Sequence, residues 1–148
     1  MMLIPRLVHK KKEKGQAAVE TLLALVVLVL LIFGGIELSR GVAIRQSLDS
    51  GTCSAVRALS LDPTQWNYAG AIVQHSVEQN IMGDGPDVTL KVYDSSGAAR
   101  SSAWLSGCPF GTGFILESSA PFQADIPFLP LNPVTITVRH WGIVERYP

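Results

Sequence analysis

From Leu22 to Ile36 the chain reads LLALVVLVLLIFGGI, fifteen residues without a charge. Extended back to Ala17 the stretch covers twenty residues, interrupted only by Glu20 and Thr21. At about 1.5 Å of rise per residue, a helix of that length spans about 30 Å, the thickness of a bilayer core. A helix packed in a soluble core keeps a polar stripe on its outer side, and this run has none. A secretory signal would be followed by small residues at alternate positions. Gly34-Gly35-Ile36-Glu37 matches that pattern poorly, and no cysteine follows that could carry a lipid. The expectation is a retained, single-pass membrane helix over residues 16–36.

Charge sets the expected orientation. Arg6, Lys10, Lys11, Lys12 and Lys14 against Glu13 give the first fifteen residues a charge of +4, and the seven basic and eleven acidic residues that remain give −4. A neutral total thus divides into a basic head and a mildly acidic body. The positive-inside rule puts residues 1–15 in the cytoplasm and residues from 37 onward on the far side of the cytoplasmic (inner) membrane. Beyond Lys14 no basic cluster is left to meet a phosphate backbone, which argues against a nucleic-acid partner.

The helical pattern does not stop at the membrane. Residues 37–62 contain no proline, and Gly41, Ile44, Leu48, Thr52, Ala55 and Leu59 recur at steps of three and four. They form one narrow apolar face lined by small residues. Glu37, Arg40, Arg45, Asp49 and Arg57 belong to the other surfaces. Asp62-Pro63 ends the run, because the residue before a proline is pushed out of the helical region. One helix of some 45 residues is expected.

The pieces around this helix form a pattern. A basic leader ends in Gly15, then come Gln16-Ala17-Ala18-Val19-Glu20 and the apolar run, which closes on Gly34-Gly35-Ile36-Glu37-Leu38-Ser39-Arg40. Over about thirty residues this resembles the start of a TadE-like pseudopilin, a minor subunit of the tight-adherence (Flp-type) branch of type IV pili. Thr21 departs from the resemblance, since many members carry an aromatic there. The resemblance implies cleavage by a prepilin peptidase between Gly15 and Gln16. It also implies an assembly role for Glu20, with other tight-adherence pilins and pilus assembly proteins as partners. Physical chemistry leaves two readings of Glu20. A carboxylate at the entry of a hydrocarbon-length helix is costly unless paired. Cleavage would create a positive α-amino group on a neighbouring subunit that could pair with it. Alternatively, the side chain snorkels to water at the helix N-terminus.

Residues 63–148 read as an α+β domain of the kind found in pilin headpieces. Thr64–Met82 carries Trp66, Ala69, Ile72, Val73, Val77 and Ile81 at helical steps and meets a stop at Gly83-Asp84-Gly85-Pro86. Val88–Tyr93 and Val134–His140 alternate with period two and are rich in β-branched residues, so they read as strands. Phe114–Glu117 and Phe122–Ile126 are weaker strands, and the Gly-, Ser- and Pro-rich Asp94–Thr112 and Pro127–Pro133 read as loops. The sheet is expected to be small and antiparallel, packed on the helices.

No enzyme signature emerges. Gly107–Gly113 is glycine-rich but has no lysine and no following helix, so it is not a phosphate-binding loop. There is no G-x-S-x-G and no H-E-x-x-H, and the expectation is no catalytic residue, no metal site and no cofactor. His75 reads as an exposed partner of Glu78, His140 as the end of a strand, and Trp66, Trp104 and Trp141 as packing residues. The two cysteines, Cys53 and Cys108, are too few for a structural zinc site. Placed outside the cytoplasm they are expected to form a disulfide, the alternative being two buried thiols. The reading is a minor pilin acting in pilus assembly and adhesion. The alternative is a non-polymerising single-pass receptor with an extracytoplasmic ligand-binding domain.

Overall fold

Helix α1 (His9–Leu61) is a single run of 53 residues, about 80 Å long. The structure, a computed structural model, describes residues 9–80 and 85–145, with side chains placed over 15–79 and 85–145. The helix begins earlier than the apolar pattern requires: its first turns are the basic residues before Gly15, so this part of the leader and the apolar run form one rod. Its lower half contains the one described helix long and apolar enough to cross a membrane, and none of that window is buried. Its upper half is a wall of the domain.

The expected stripe is where the domain packs. Ile44, Leu48, Thr52, Ala55 and Leu59 are all buried, and Gly41 is half-buried. Ser47, Gly51, Val56 and Ser60 join them, which makes the buried face wider than the pattern of large residues shows. At the top, Asp62 stops α1. Its carboxylate accepts hydrogen bonds from the Thr64 backbone N–H at 3.1 Å and from the Gln65 side chain at 2.9 Å. The chain then folds back along α1 as α2 (Trp66–Asn80), whose Ala69, Val73 and Val77 are fully buried. The two helices approach closely at Gly51, where a Cβ would come within 3.0 Å of the Ser76 side chain and 3.1 Å of the Val73 backbone. Part of the expected stop at Gly83–Pro86 lies outside the described residues.

The sheet is antiparallel and four-stranded in the order β2-β1-β3-β6: β1 is Thr89–Asp94, β2 Ala99–Arg100, β3 Gly113–Phe122 and β6 Val134–Ile143. β1 and β6 occupy the two strongly alternating segments, with β6 running three residues beyond His140. The weaker strand at Phe114–Glu117 is a correction in extent. It continues to Phe122 and becomes the ten-residue centre of the sheet, paired with β1 on one side and β6 on the other. Ser118, Ser119 and Pro121 hide it in the sequence. Pro121 is tolerated because β1 ends at Thr89, opposite Ser119, so no β1 ladder bond is required at Pro121.

Two expected loops contain structure of their own. Within Asp94–Thr112 lie β2 and the short helix α3 (Ser102–Ser106), started by Ser101, whose hydroxyl accepts from the Trp104 N–H, and held by the buried Leu105. The β1–β2 turn is organised by Asp94. The Ser96 hydroxyl, the Ala98 N–H and the Arg100 guanidinium all donate to its carboxylate and hold it well below the usual carboxylate range. Between β3 and β6 a second, two-stranded ribbon pairs β4 (Asp125–Ile126) with β5 (Leu129–Pro130).

One face of the sheet covers α1 and α2. Val92, Phe114, Leu116, Ala120 and Val144 meet the helix residues in a single core with Leu105. β3 runs down α1 toward the membrane end. Phe114 and Gly142 sit at the level of Val56, Ser118 at Thr52, and Phe122 against Gly41. Gly142 is obligatory in this packing, since a Cβ there would lie 2.6 Å from Val56 and 2.8 Å from the Phe114 ring. Above it, the Glu145 N–H donates to the Ser60 carbonyl at 2.7 Å and pins the end of β6 to the top of α1.

A buried hydroxyl pair joins helix and sheet at the centre. Thr52 donates to the Leu48 carbonyl one turn back, which leaves its oxygen to accept from Ser118. The roles make a lopsided prediction. Thr52→Val strands a buried Ser118 hydroxyl and is expected to cost about 1–3 kcal/mol. Ser118→Ala leaves Thr52 bonded to Leu48 and should cost less, and the double variant should recover part of the Thr52→Val loss. Thermal unfolding of the three variants in detergent measures this. Equal losses in both single variants, with simple additivity, would contradict the assignment of donor and acceptor.

Candidate assembly helix

The residues singled out for processing and assembly lie on one exposed stretch of α1. Gly15, Gln16 and Glu20 are all exposed, and a Cβ added at Gly15 would meet nothing within 4 Å. The Thr21 hydroxyl donates to the Ala17 carbonyl at 2.8 Å, turning its only polar group back onto the helix. Toward the membrane, therefore, Thr21 presents chiefly its methyl group. From Val19 to Ile36 the large apolar side chains project on every side, with Leu23 61 % and Leu31 68 % exposed. Among the described residues no domain element covers them.

Where the span ends, the charges begin, and one of them differs from expectation. Glu37 belongs to a turn read as solvent-facing, yet it is only 7 % exposed, while Ile36 and Leu38 on either side are open. Its carboxylate is bound by both contacts of Arg40 Nη1, at 3.0 and 3.1 Å. The pair lets an acidic residue sit at the foot of the domain without an uncompensated charge.

The other expected site residues are dispersed. Cys53 and Cys108 do not form the expected disulfide in this structure; both are free. Cys53 is exposed next to, but not on, the buried stripe, whereas Cys108 follows α3, half-buried, its thiol directed to the Trp104 carbonyl at 3.3 Å. Burial pushes the Cys108 thiol above its ordinary range, partly opposed by the positive charge of Arg100. His75 contacts Gln79 at 2.8 Å rather than Glu78, whose carboxylate accepts from Gln74. His140 reaches across to Asp49 of α1 at 2.9 Å, which makes it a tie between helix and sheet. Trp66 and Trp104 pack against the core, but Trp141 is 60 % exposed.

Sequence reasoning missed a polar cluster on the open face of the sheet. Glu117, buried to 7 % exposure, accepts from the Tyr93 hydroxyl at 3.0 Å and from Arg139 Nε at 2.6 Å, and the Arg139 guanidinium lies 5.3 Å from the centre of the Tyr93 ring. The three residues stand on neighbouring strands, Arg139 directly opposite Glu117 and Tyr93 opposite Ile115, one diagonal step away. All their charges are internally matched, so the cluster braces the sheet and offers no free acid or base. Among the described residues there is no group of three His, Cys, Asp or Glu side chains placed to hold a metal ion.

The thiols give a direct check on this arrangement. A raised pKa leaves less thiolate at neutral pH, and burial restricts access. Cys53 should therefore be modified by maleimide faster than Cys108 in the folded, non-reduced protein. Time-resolved mass spectrometry of the labelled peptides reads both rates, and recovery of a Cys53–Cys108 linked peptide would overturn the free-thiol arrangement.

Neither the curated proteins nor the solved structures give a match to this chain. A family model does match, and its bounds cover the exposed segment and most of the packed one: residues 15–57, from the glycine before Gln16 to just short of Leu59 on the domain-facing stripe, match the model described as TadE-like protein, the family that the leader and helix resemble.

Proposed function

We propose that this chain is a minor pilin, or pseudopilin, associated with a tight-adherence pilus, made as a precursor and cut between Gly15 and Gln16. The observation that carries the proposal is the coincidence of the TadE-like match, which starts at Gly15, with a fully exposed apolar helix that bears a headpiece on its other end. The basic residues before Gly15 stay in the cytoplasm and the domain from Glu37 onward faces outward. The role is structural: the bare helix packs with those of other subunits in the pilus or its assembly platform, and the domain is carried on the surface, where it serves assembly and adhesion.

Glu20 has a distinct part in this reading. In the membrane it lies at the interface and reaches water. In an assembly, the new α-amino group of a neighbouring Gln16 approaches it in a low-dielectric surrounding and replaces that water. Removing one partner of such a pair leaves the other charge uncompensated, which is where the energetic cost falls.

Substitutions at the two positions separate processing from incorporation. Gly15 has open space around it, so Gly15→Leu should leave the fold intact and remain at precursor mass, whereas the wild-type chain begins at Gln16. Glu20→Ala should be trimmed normally but be strongly depleted from sheared pili relative to the membrane, with Glu20→Asp between the two. N-terminal sequencing and immunoblots of the two fractions measure this. A wild-type chain starting at Met1 would favour a non-polymerising receptor, and full incorporation of Glu20→Ala would mean the carboxylate only snorkels.

A further inference from the structure

The connection between β3 and β6 holds an apolar surface that the assembly reading does not use. Phe128 is 90 % exposed at the tip of the β4–β5 ribbon and adopts a positive φ of 66°, a conformation that bulky residues rarely accept. Leu129, Leu131 and Val134 are 49, 40 and 56 % exposed beside it. From Ile126 to Val134 (IPFLPLNPV) there is no charged residue. Prolines 127, 130 and 133 also remove three backbone N–H donors from these nine residues. A backbone with fewer donors loses less when it leaves water.

The register of the fold decides where this surface points. β3 descends α1 from the level of Val56 at Phe114 to the level of Gly41 at Phe122, and the ribbon continues from there. β4 packs on α1, and Glu37, about one turn closer to the span than Gly41, is buried. The ribbon thus occupies the end of the domain that adjoins Ile36, where the exposed apolar band of α1 begins. The β1–β2 turn around Ser95 lies at the opposite end, since Asp94 pairs with Phe114.

We infer that the β4–β5 ribbon is a second membrane contact, with Phe128, Leu129 and Leu131 seated in the interfacial layer of the outer leaflet beside α1. The occupant is lipid because the surface lies at the end of the domain nearest the lipid-length face of α1, is uncharged from Ile126 onward with the exposed Asp125 at the base of the ribbon, and combines aromatic and aliphatic side chains with a donor-poor backbone. The strained backbone at Phe128 holds the ring outward instead of folding it onto the domain. Two attachment points, one helical and one interfacial, would fix the tilt and rotation of the domain over the bilayer before any subunit joins an assembly.

The inference rests on α1 spanning the membrane, and the experiment tests the two separately. The full-length protein, with Cys53→Ser and Cys108→Ser, is reconstituted in phosphatidylcholine–phosphatidylglycerol vesicles. Single cysteines at Phe128→Cys, Leu131→Cys, Ser95→Cys and Leu28→Cys carry an environment-sensitive fluorophore. The lipids carry nitroxides either near the glycerol end or in the middle of the acyl chain. The Leu28 probe should be quenched by the mid-chain nitroxide. The Phe128 and Leu131 probes should emit further to the blue than Ser95 and be quenched severalfold more by the shallow nitroxide. Quenching at Leu28 with Phe128 and Leu131 behaving as Ser95 would overturn the second contact alone. A blue shift at Phe128 without lipid quenching would overturn it in favour of a covering protein copy. An unquenched Leu28 would overturn the membrane span and the contact together.

Discussion

The fold depends on one helix that meets two different environments without interruption. From Leu22 to Ile36, α1 is apolar on all sides, and among the described residues none of the domain buries it. Above Glu37, the same rod turns one stripe of small side chains to a sheet and a second helix. Burial on both sides of α1 is possible because that stripe is thin: Gly51 lets α2 approach until backbone nearly meets backbone, and Thr52 lets β3 lie directly on the helix. A larger side chain at either place would separate a layer from α1. The buried polar pair is compatible with this closeness because each hydroxyl has a partner.

Periodicity made the large elements legible. The step pattern Ile44, Leu48, Thr52, Ala55 and Leu59 picks out the buried face of α1, and the alternation in Val88–Tyr93 and Val134–His140 places two of the three long strands of the sheet. What escaped shares a physical cause. The second half of β3 is Ser118-Ser119-Ala120-Pro121, and serine at a buried position looks like a turn unless its partner, Thr52, is known. Glu37 reads as a surface charge for the same reason, since its burial comes with the folded domain and its charge is met by Arg40. α3 carried a local signal in Ser101, but the surrounding glycine and serine outweighed it. At the candidate site, the exposure of Gly15 through Glu20 follows from position alone.

The distribution of charge fits a protein whose two halves have different tasks. Within the domain the acidic groups at Asp94, Glu117 and Glu37 are each held by an arginine, and His140 meets Asp49, so the visible polar interactions are spent on rigidity. The long helix below it has almost no such internal business. Its surface is specified by shape and apolarity.

Continuity of α1 has a mechanical consequence. No proline falls between His9 and Leu61, and the helix passes through Gly34-Gly35 unbroken. The azimuth of the domain is thereby locked to that of the membrane segment, like the key of a lock cut on a single shaft. Each residue inserted into or deleted from the apolar run would turn the domain by about 100° relative to Glu20. Sequence length between the carboxylate and the headpiece is then a phase angle, which selects the side of the rod on which the domain is presented.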